Sequence, residues 1–386
     1  MSIFRAHLFD LPKGVTYLNG NSLGPLTHAS KLAVEKAVTA EWRQELIRAW
    51  NISGWMDQPG RVGDLIAPLI GAPKGSVMVG DTLTIKLRQT LEAALKISKR
   101  GQRILSDTGN FPSDLYVAQG LSNELVLVEP DEVADSLSED IDVLMLTEID
   151  YRTGRRHDMR AITSLAQKVG IICVWDLAHS VGAVEVDVLA SKTEFAVGCT
   201  YKYLNAGPGA PGFIYTRPDL IELASSSLVG WMGHARPFDF ELEYKPGLGS
   251  ERWRVGTPPV LQMAALEGAL SLWQDIDLKR LQHEARILVQ EMRDQVGERC
   301  PELQCISPRN CGSHIAFEFH QGYELMQVLI EHGVIGDFRA PNILRFGFSP
   351  LYNSLDDVDR AVQVLREALE TRAYEQVKYR AKSKVT

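Results

Sequence analysis

The chain has 386 residues, of which 45% are hydrophobic and 23% are charged, and 41 basic against 49 acidic residues give a formal net charge of −8. This composition argues against disordered, collagen-like and coiled-coil proteins. The mildly acidic balance lacks the basic patch that binds nucleic acid or an anionic membrane, so we expect neither partner and favour small-molecule chemistry in a chain of two or three domains.

No apolar run approaches the roughly 20 residues that span a bilayer, and the N-terminal segment lacks the apolar core of a secretion signal. We therefore expect a cytoplasmic protein. The cysteines form no CxxC pair, so the sequence predicts neither a disulfide framework nor a metal site. They are Cys173, Cys199, Cys300, Cys305 and Cys311.

In the middle of the chain, short apolar runs rich in β-branched residues alternate with amphipathic stretches. The strand-like runs are 124–129, 143–147, 171–175 and 195–199, and a helical stretch lies at 159–169. Such runs indicate strands buried on both faces of a sheet, and their alternation with helices indicates βαβ units. The sequence therefore predicts a large α/β domain over residues 61–260.

The remainder of the chain has a coarser and more helical pattern. The predicted elements are a long helix at 261–295, a strand at 314–319 and helices at 323–332 and 355–372. We interpret residues 261–386 as a long linking helix followed by a smaller α+β domain. We expect residues 1–60 to form an arm that packs on this smaller domain.

Two charged residues directly follow predicted strands. Asp176 comes after the run at 171–175, and Lys202 comes shortly after the run at 195–199. In an open α/β sheet, functional groups gather at the carboxyl ends of the strands. Pyridoxal phosphate needs an amine that bonds to its aldehyde, a carboxylate beside its pyridinium nitrogen and a cradle for its phosphate. Lys202 and Asp176 can supply the first two.

The segment 77–84 predicts the phosphate cradle, because it leads from a strand into a helix over 85–98 and contains threonine hydroxyls. The loop Phe111–Asp114 enters another helix and offers a further contact to the cofactor ring. Each feature alone is typical of an ordinary cap, turn or solvated lysine. In this order and spacing they predict a pyridoxal-phosphate enzyme with the aspartate-aminotransferase-like fold, fold type I.

Seven motifs, in chain order, resemble the kynureninase family. They are Tyr17–Gly24, Asn110–Tyr116, Trp175–Ser180, Tyr201–Asn205 with the GPGAPGF that follows, Gly230–Pro237, Gly256–Pro259 and Arg345–Tyr352. The resemblance covers most of the chain and implies a mostly parallel seven-stranded sheet in the large domain. It also implies hydrolysis of kynurenine to anthranilate and alanine, with 3-hydroxykynurenine as a further candidate substrate.

The resemblance implies that Lys202 carries the cofactor, that Asp176 pairs with the ring nitrogen and that Tyr201 transfers protons. The family's cofactor-binding positions fall on Leu83, Thr84, Phe111, Pro112, Ser113, Asp114, Thr147, Asp176, His179, Tyr201, Lys202, Trp231 and Thr257. In the family, the positions of Trp231 and Thr257 belong to the neighbouring subunit. The resemblance therefore implies a homodimer with a shared active site.

Arg345 falls on the family's arginine for the substrate α-carboxylate, and a planar guanidinium suits a carboxylate. The other predicted substrate-binding residues are Asn21, Ser22, Trp50 and Gly256. Trp50 and the pair Gly256–Thr257 resemble the bacterial type of the family, whereas the animal type has His and Ser-Asn there. These residues favour kynurenine over its 3-hydroxy form.

The sequence departs from the family pattern in two places. Asn19 replaces a common Asp, and Glu148–Asp150 replaces a more usual His-Val-Asn, which puts substrate preference or loop geometry in question. The candidate general bases are His28, His157, His234 and His283, of which only His234 lies in a matched motif.

Two alternative functions stay open. Another fold-type I lyase, such as a cysteine desulfurase, would need a catalytic cysteine on a loop near the lysine, and no cysteine has that sequence context. A non-catalytic relative would be expected to lose Lys202, Asp176 or Arg345, and all three are present.

Overall fold

The computed structural model describes residues 3–382. Its α-helices are α1 (His28–Lys36), α2 (Ala49–Ile52), α3 (Gln58–Ile66), α4 (Leu83–Ser98), α5 (Pro112–Leu121), α6 (Met159–Lys168), α7 (Val260–Leu270), α8 (Leu278–Arg299), α9 (Gly322–Glu331) and α10 (Leu355–Glu370). Its strands are β1 (Thr16–Tyr17), β2 (Val77–Val79), β3 (Arg103–Asp107), β4 (Glu124–Val128), β5 (Val143–Thr147), β6 (Ile172–Asp176), β7 (Phe195–Cys199), β8 (Gly212–Thr216), β9 (Gln304–Cys305), β10 (His314–Glu318), β11 (Val334–Ile335), β12 (Asp337–Arg339) and β13 (Ile343–Gly347).

Seven strands form the central sheet, in the order β2-β8-β7-β6-β5-β3-β4. Strand β8 runs antiparallel to both of its neighbours, and the other pairs are parallel. Strands β5 and β7 are buried along their whole length, as continuous apolar runs predict for strands covered on both faces. The predicted α/β class with a mostly parallel seven-stranded sheet is confirmed.

Alternating residues of β5 enter two hydrophobic cores on opposite faces of this sheet. Leu144 and Leu146 belong to one core, and Val143 and Met145 belong to the other, to which α4 adds Leu87. Because successive side chains of a strand point to opposite faces of the sheet, one short apolar run contributes residues to both cores. The packing fixes the strand ends from which the loops of the site emerge.

A smaller antiparallel sheet has the order β12-β13-β10-β9. Phe317 and Phe346 from this sheet share a third core with Leu365 of α10. Strand β1 from the beginning of the chain pairs in parallel with β11. The division of the chain at 60/61 and 260/261 stays a prediction.

The predicted helix over 261–295 is wrong as one continuous element. Helix α7 ends at Leu270, and α8 begins at Leu278. Asp277 caps α8, because its side chain accepts hydrogen bonds from the backbone N–H groups of Lys279 and Arg280. Local capping therefore starts a second helix inside a segment whose apolar pattern is nearly continuous. Over residues 3–382, no helix has both the length and the apolarity needed to cross a membrane.

Candidate active site

The carboxyl ends of β5, β6 and β7 bring the predicted catalytic residues together at one cavity of about 220 Å³. Thr147 and Asp176 end β5 and β6 and are paired in register, and Lys202 lies just beyond β7. The predicted residues that line the cavity are Asn21, Ser22, Leu83, Thr84, Phe111, Ser113, Asp114, Asp176, His179, Tyr201, Lys202 and Arg345. Three further residues, which the sequence does not single out, also line the cavity: Tyr151, Ala178 and Arg339.

Two buried carboxyl groups lie near the lysine. Asp176 is 3% exposed and Asp114 is 0% exposed. Burial raises the pKa of both groups, and the negative charge of Asp176 raises that of Asp114 further, while Lys202 acts in the opposite direction. Oδ1 of Asp176 accepts a hydrogen bond of 2.8 Å from the backbone N–H of Ala178.

Oδ2 of Asp114 is buried and has no hydrogen-bond partner among residues 3–382. A buried carboxylate oxygen without a donor is costly. The protonated ring nitrogen of pyridoxal phosphate is a donor of the kind that this pair lacks. The paired carboxyl groups therefore fit the cofactor.

His179 lies between the lysine and the smaller sheet. Its Nε2 is 3.2 Å from Nζ of Lys202. Burial, followed by the positive charge of Lys202, lowers the pKa of His179 well below its ordinary value. The imidazole is therefore neutral, and its flat face adds no charge to the cavity.

The start of α4 provides a tight anion cradle. Thr82 caps the helix, since its hydroxyl accepts a hydrogen bond from the backbone N–H of Ile85. Leu83 and Thr84 follow in the first turn, whose N–H groups attract anions. A Cβ on Gly212 would lie 2.7 Å from the backbone nitrogen of Leu83, so β8 can approach the cradle this closely only with glycine. This geometry fits a phosphate group.

A second loop holds the side of the cavity next to the carboxyl pair. Pro112 begins α5 and does not itself line the cavity, whereas the ring of Phe111 packs edge-on against Tyr151 at 5.1 Å. Asn110 accepts a hydrogen bond from Thr147, whose hydroxyl also lies 3.4 Å from Oδ2 of Asp176. Asn110 belongs to a matched motif, yet its position beneath Thr147 becomes visible only in the folded chain.

The opposite side of the cavity is formed by the smaller sheet. Nε of Arg345 donates a hydrogen bond of 2.7 Å to Asp337, and its Nη2 donates to the other oxygen of that carboxylate. Burial opposes the charge of Asp337, but the adjacent Arg345 and Arg339 lower the pKa of this carboxyl group. Ser22 donates a hydrogen bond to the same carboxylate.

Six predicted site residues do not line the cavity of a single chain: Trp50, Pro112, Thr147, Trp231, Gly256 and Thr257. Trp231, Gly256 and Thr257 are exposed. Trp50 is half-buried and packs edge-on against Trp55 at 5.8 Å. Their roles at the site stay predictions.

The thiols do not match the chemistry of a desulfurase. No cysteine lines the cavity, and Cys199, the one nearest to Lys202 in the sequence, is buried. Burial raises the pKa of Cys173 and Cys199, which keeps these thiols protonated. A nucleophilic cysteine needs the opposite environment.

A mostly parallel sheet that carries a lysine, a buried carboxyl pair and a helix-start anion cradle at one edge defines a pyridoxal-phosphate enzyme of fold type I. A cysteine desulfurase of Thermococcus onnurineus NA1 superposes on this chain with a TM-score of 0.82. The match covers 96% of this chain and 100% of that chain, at 20% identity. At that identity the likeness shows the shared fold alone.

Two relatives show the family. A kynureninase of Pseudomonas fluorescens is 41% identical over 394 residues, which cover 98% of this chain and 95% of that protein. A kynureninase of Deinococcus radiodurans is 44% identical over 378 residues, with 94% and 92% covered. The family of the kynureninase C-terminal domain matches residues 281–365. The chain belongs to the kynureninase family, which confirms the predicted family, enzyme class and pyridoxal-phosphate cofactor.

Proposed function

We propose that this chain hydrolyses the Cβ–Cγ bond of L-kynurenine in the cytoplasm and releases anthranilate and L-alanine. One observation carries the proposal: in a member of the kynureninase family, Lys202, Asp176 and Arg345 line one cavity. An amine, a carboxyl group and a guanidinium are the groups that a pyridoxal-phosphate enzyme needs for its cofactor and for an amino-acid carboxylate.

The side chains of the cavity have different roles in the proposed reaction. When bound, pyridoxal phosphate supplies a ring that accepts electron density from the α-carbon of the substrate. Asp176, with Asp114 beside it, holds a proton on the ring nitrogen, and Nζ of Lys202 takes and returns protons at the substrate carbon atoms. The neighbouring Cys199 and burial raise the pKa of Tyr201, so its hydroxyl stays protonated at neutral pH and can donate a hydrogen bond.

Anthranilate fluorescence tests the proposed reaction. Purified protein with added pyridoxal phosphate should release anthranilate from L-kynurenine. Lys202→Ala should abolish the release, and borohydride should fix the cofactor to the wild type but not to this variant. The control is Lys378→Ala, which removes an exposed lysine paired with Glu331 and should keep full activity. Wild-type protein that carries the cofactor but releases no anthranilate would overturn the proposal.

We propose further that two copies form a homodimer with shared active sites. The segment around Trp231 presents several apolar side chains to solvent, and such patches mark interfaces. They are Trp231, Phe238, Phe240, Leu242 and Leu248. Trp231 and Thr257 do not reach the cavity of their own chain, which leaves them available to a second copy.

Subunit mixing tests the shared site. Lys202→Ala and Trp231→Ala subunits should each be impaired as homodimers. A mixed dimer contains one site with both wild-type residues if the site is shared, so mixing should restore part of the activity. Mixed dimers that form and stay inactive would contradict the shared site. A wild type that sediments as a monomer would contradict the dimer itself.

Trp50 and the pair Gly256–Thr257 support a preference for kynurenine over 3-hydroxykynurenine. The wild type should show the higher kcat/KM for kynurenine. The triple change Trp50→His, Gly256→Ser and Thr257→Asn, which introduces the residues of the animal type, should shift this ratio towards the 3-hydroxy form. A wild type that prefers 3-hydroxykynurenine would show that these residues do not set the preference.

A further inference from the structure

Two arginines share one carboxylate on the small-sheet side of the cavity. Asp337 and Arg345 are register partners on β12 and β13. Arg339 follows Asp337 by two positions on the same strand, so both side chains lie on one face of the sheet. Nη2 of Arg339 lies 2.9 Å from Oδ2 of Asp337. One negative charge facing two guanidinium groups leaves a surplus positive charge beside the cavity.

The two arginines differ in how many of their guanidinium nitrogens already donate hydrogen bonds within the protein. The side chain of Arg345 is 1% exposed; Nε and Nη2 donate to Asp337, and Nη1 donates to the backbone carbonyl of Tyr151. The side chain of Arg339 is 35% exposed, and its Nη1 donates to the carbonyl of Phe338. Arg339 is therefore the guanidinium with room to accept a second anion.

Polar groups next to Arg339 complete a site for a carboxylate. Nη2 of Arg339 lies 3.1 Å from the hydroxyl oxygen of Ser22. Asn21 lines the same cavity, is 0% exposed, and neither polar atom of its amide has a hydrogen-bond partner among residues 3–382. A buried amide without partners is costly unless a ligand provides them.

We propose that Arg339 binds the α-carboxylate of the substrate directly, beside Arg345, and that Asp337 acts as a positioning residue that holds Arg345 in place. The inference rests on the proposed function, because it concerns the same substrate. It makes Arg339 a determinant of specificity: the enzyme selects amino acids with a free α-carboxylate and discriminates against their α-amides largely through this side chain.

The test compares L-kynurenine with its α-carboxamide. Arg339→Gln should lower kcat/KM for kynurenine roughly 10- to 100-fold, chiefly through KM, and should change the value for the amide little. Binding without turnover gives a second readout. The affinity for L-alanine, followed by the change in cofactor absorbance, should weaken by a similar factor. Arg366→Gln, which removes an exposed arginine paired with Glu370 on α10, is the matched control and should change neither value.

The possible results distinguish a failure of the role proposed for Arg339 from a failure of the proposed function. If Arg339→Gln keeps the cofactor absorbance, the wild-type affinity for alanine and the wild-type preference for acid over amide, the role of Arg339 is overturned. If Arg339→Gln does not fold, Arg339→Lys keeps the charge without the planar fork. This variant should bind alanine several-fold more weakly, and unchanged affinity would overturn the role. A wild type that binds alanine but releases no anthranilate would overturn the proposed function instead.

Discussion

Both sides of the cavity contain buried aspartates, but their surroundings shift the pKa of those aspartates in opposite directions. On the large sheet, burial raises the pKa of Asp114 and Asp176, and one lysine only partly offsets it. On the small sheet, two arginines lower the pKa of Asp337 despite its burial. The large-sheet side therefore has more buried carboxyl groups than its one lysine offsets, and the small-sheet side has more cations than its one carboxylate offsets.

We expect this difference to orient a bound amino acid. A ligand with a protonated ring nitrogen completes the large-sheet side, and a ligand with a carboxylate completes the small-sheet side. Because the net charge of the chain is −8, attraction of the substrate carboxylate depends on local groups and not on the overall field.

The largest change in stability is expected at Asp337. Asp337→Asn leaves Arg345 buried beside a neutral amide and next to a second cation, so the free energy of unfolding should fall by about 3–5 kcal/mol. Urea unfolding of the cofactor-free protein at pH 7 and fixed concentration measures this loss. Asp239→Asn breaks an exposed ion pair with Arg236 and should cost less than about 1 kcal/mol. Equal losses in the two variants would show that Asp337 is not a buried charge partner.

The large-sheet side could be predicted well from the sequence, because Asp176 and Lys202 follow strands that appear as continuous apolar runs. The small-sheet side could be predicted only in part. Arg345 belongs to a recognisable motif, but Asp337 and Arg339 lie on a strand of three residues, too short for a periodic signal. Their meeting with Arg345 depends on the register between β12 and β13, and register is set by tertiary packing.

Tyr151 shows a second reason why part of the cavity could not be predicted from the sequence. It follows β5 in a turn, and its backbone carbonyl meets Arg345 across 194 positions of the chain. A backbone group carries no sequence signal for such a contact, since every residue has a carbonyl. Cavity residues that act through the main chain therefore become visible only in the folded protein.

A smaller effect is expected from pH, through His314 at the start of β10. Its ring is fully buried, with its centroid 5.6 Å from that of His179. Burial, together with the positive charges of Arg345 and Lys202, lowers the pKa of His314 to about 3, and the negative charge of Asp337 opposes them. In the unfolded chain this histidine therefore takes up a proton near pH 6.5. In the folded chain it takes up the proton only near pH 3.

The free energy of unfolding should thus be highest above pH 6.5 and should fall as the pH drops, by up to about 1.4 kcal/mol per unit for each such histidine. The lowered pKa of His179 acts in the same direction. His314→Gln should remove the contribution of one histidine, about 1 kcal/mol between pH 7 and pH 5.5, in urea unfolding at the two pH values. A variant with the same pH slope as the wild type would show that His314 accepts a proton in the folded state.

The smallest effect, and the one with the opposite sign, is expected at Asp114. Its raised pKa means that at pH 7 this carboxyl group costs the folded, cofactor-free protein stability, because burial and Asp176 disfavour its charged form. Asp114→Asn removes that cost, so the free energy of unfolding should stay constant or rise by up to about 1 kcal/mol. This gain should shrink as the pH falls towards the ordinary range of an aspartate, because the carboxyl group of the unfolded wild type then takes up a proton as well. Urea unfolding at pH 7 and pH 4.5 measures both values, and a spectroscopic titration should show weaker binding of pyridoxal phosphate. If Asp114→Asn lost as much stability as Asp337→Asn, the buried aspartate would stabilise the folded protein on both sides of the cavity, and the contrast between the two sides would be wrong.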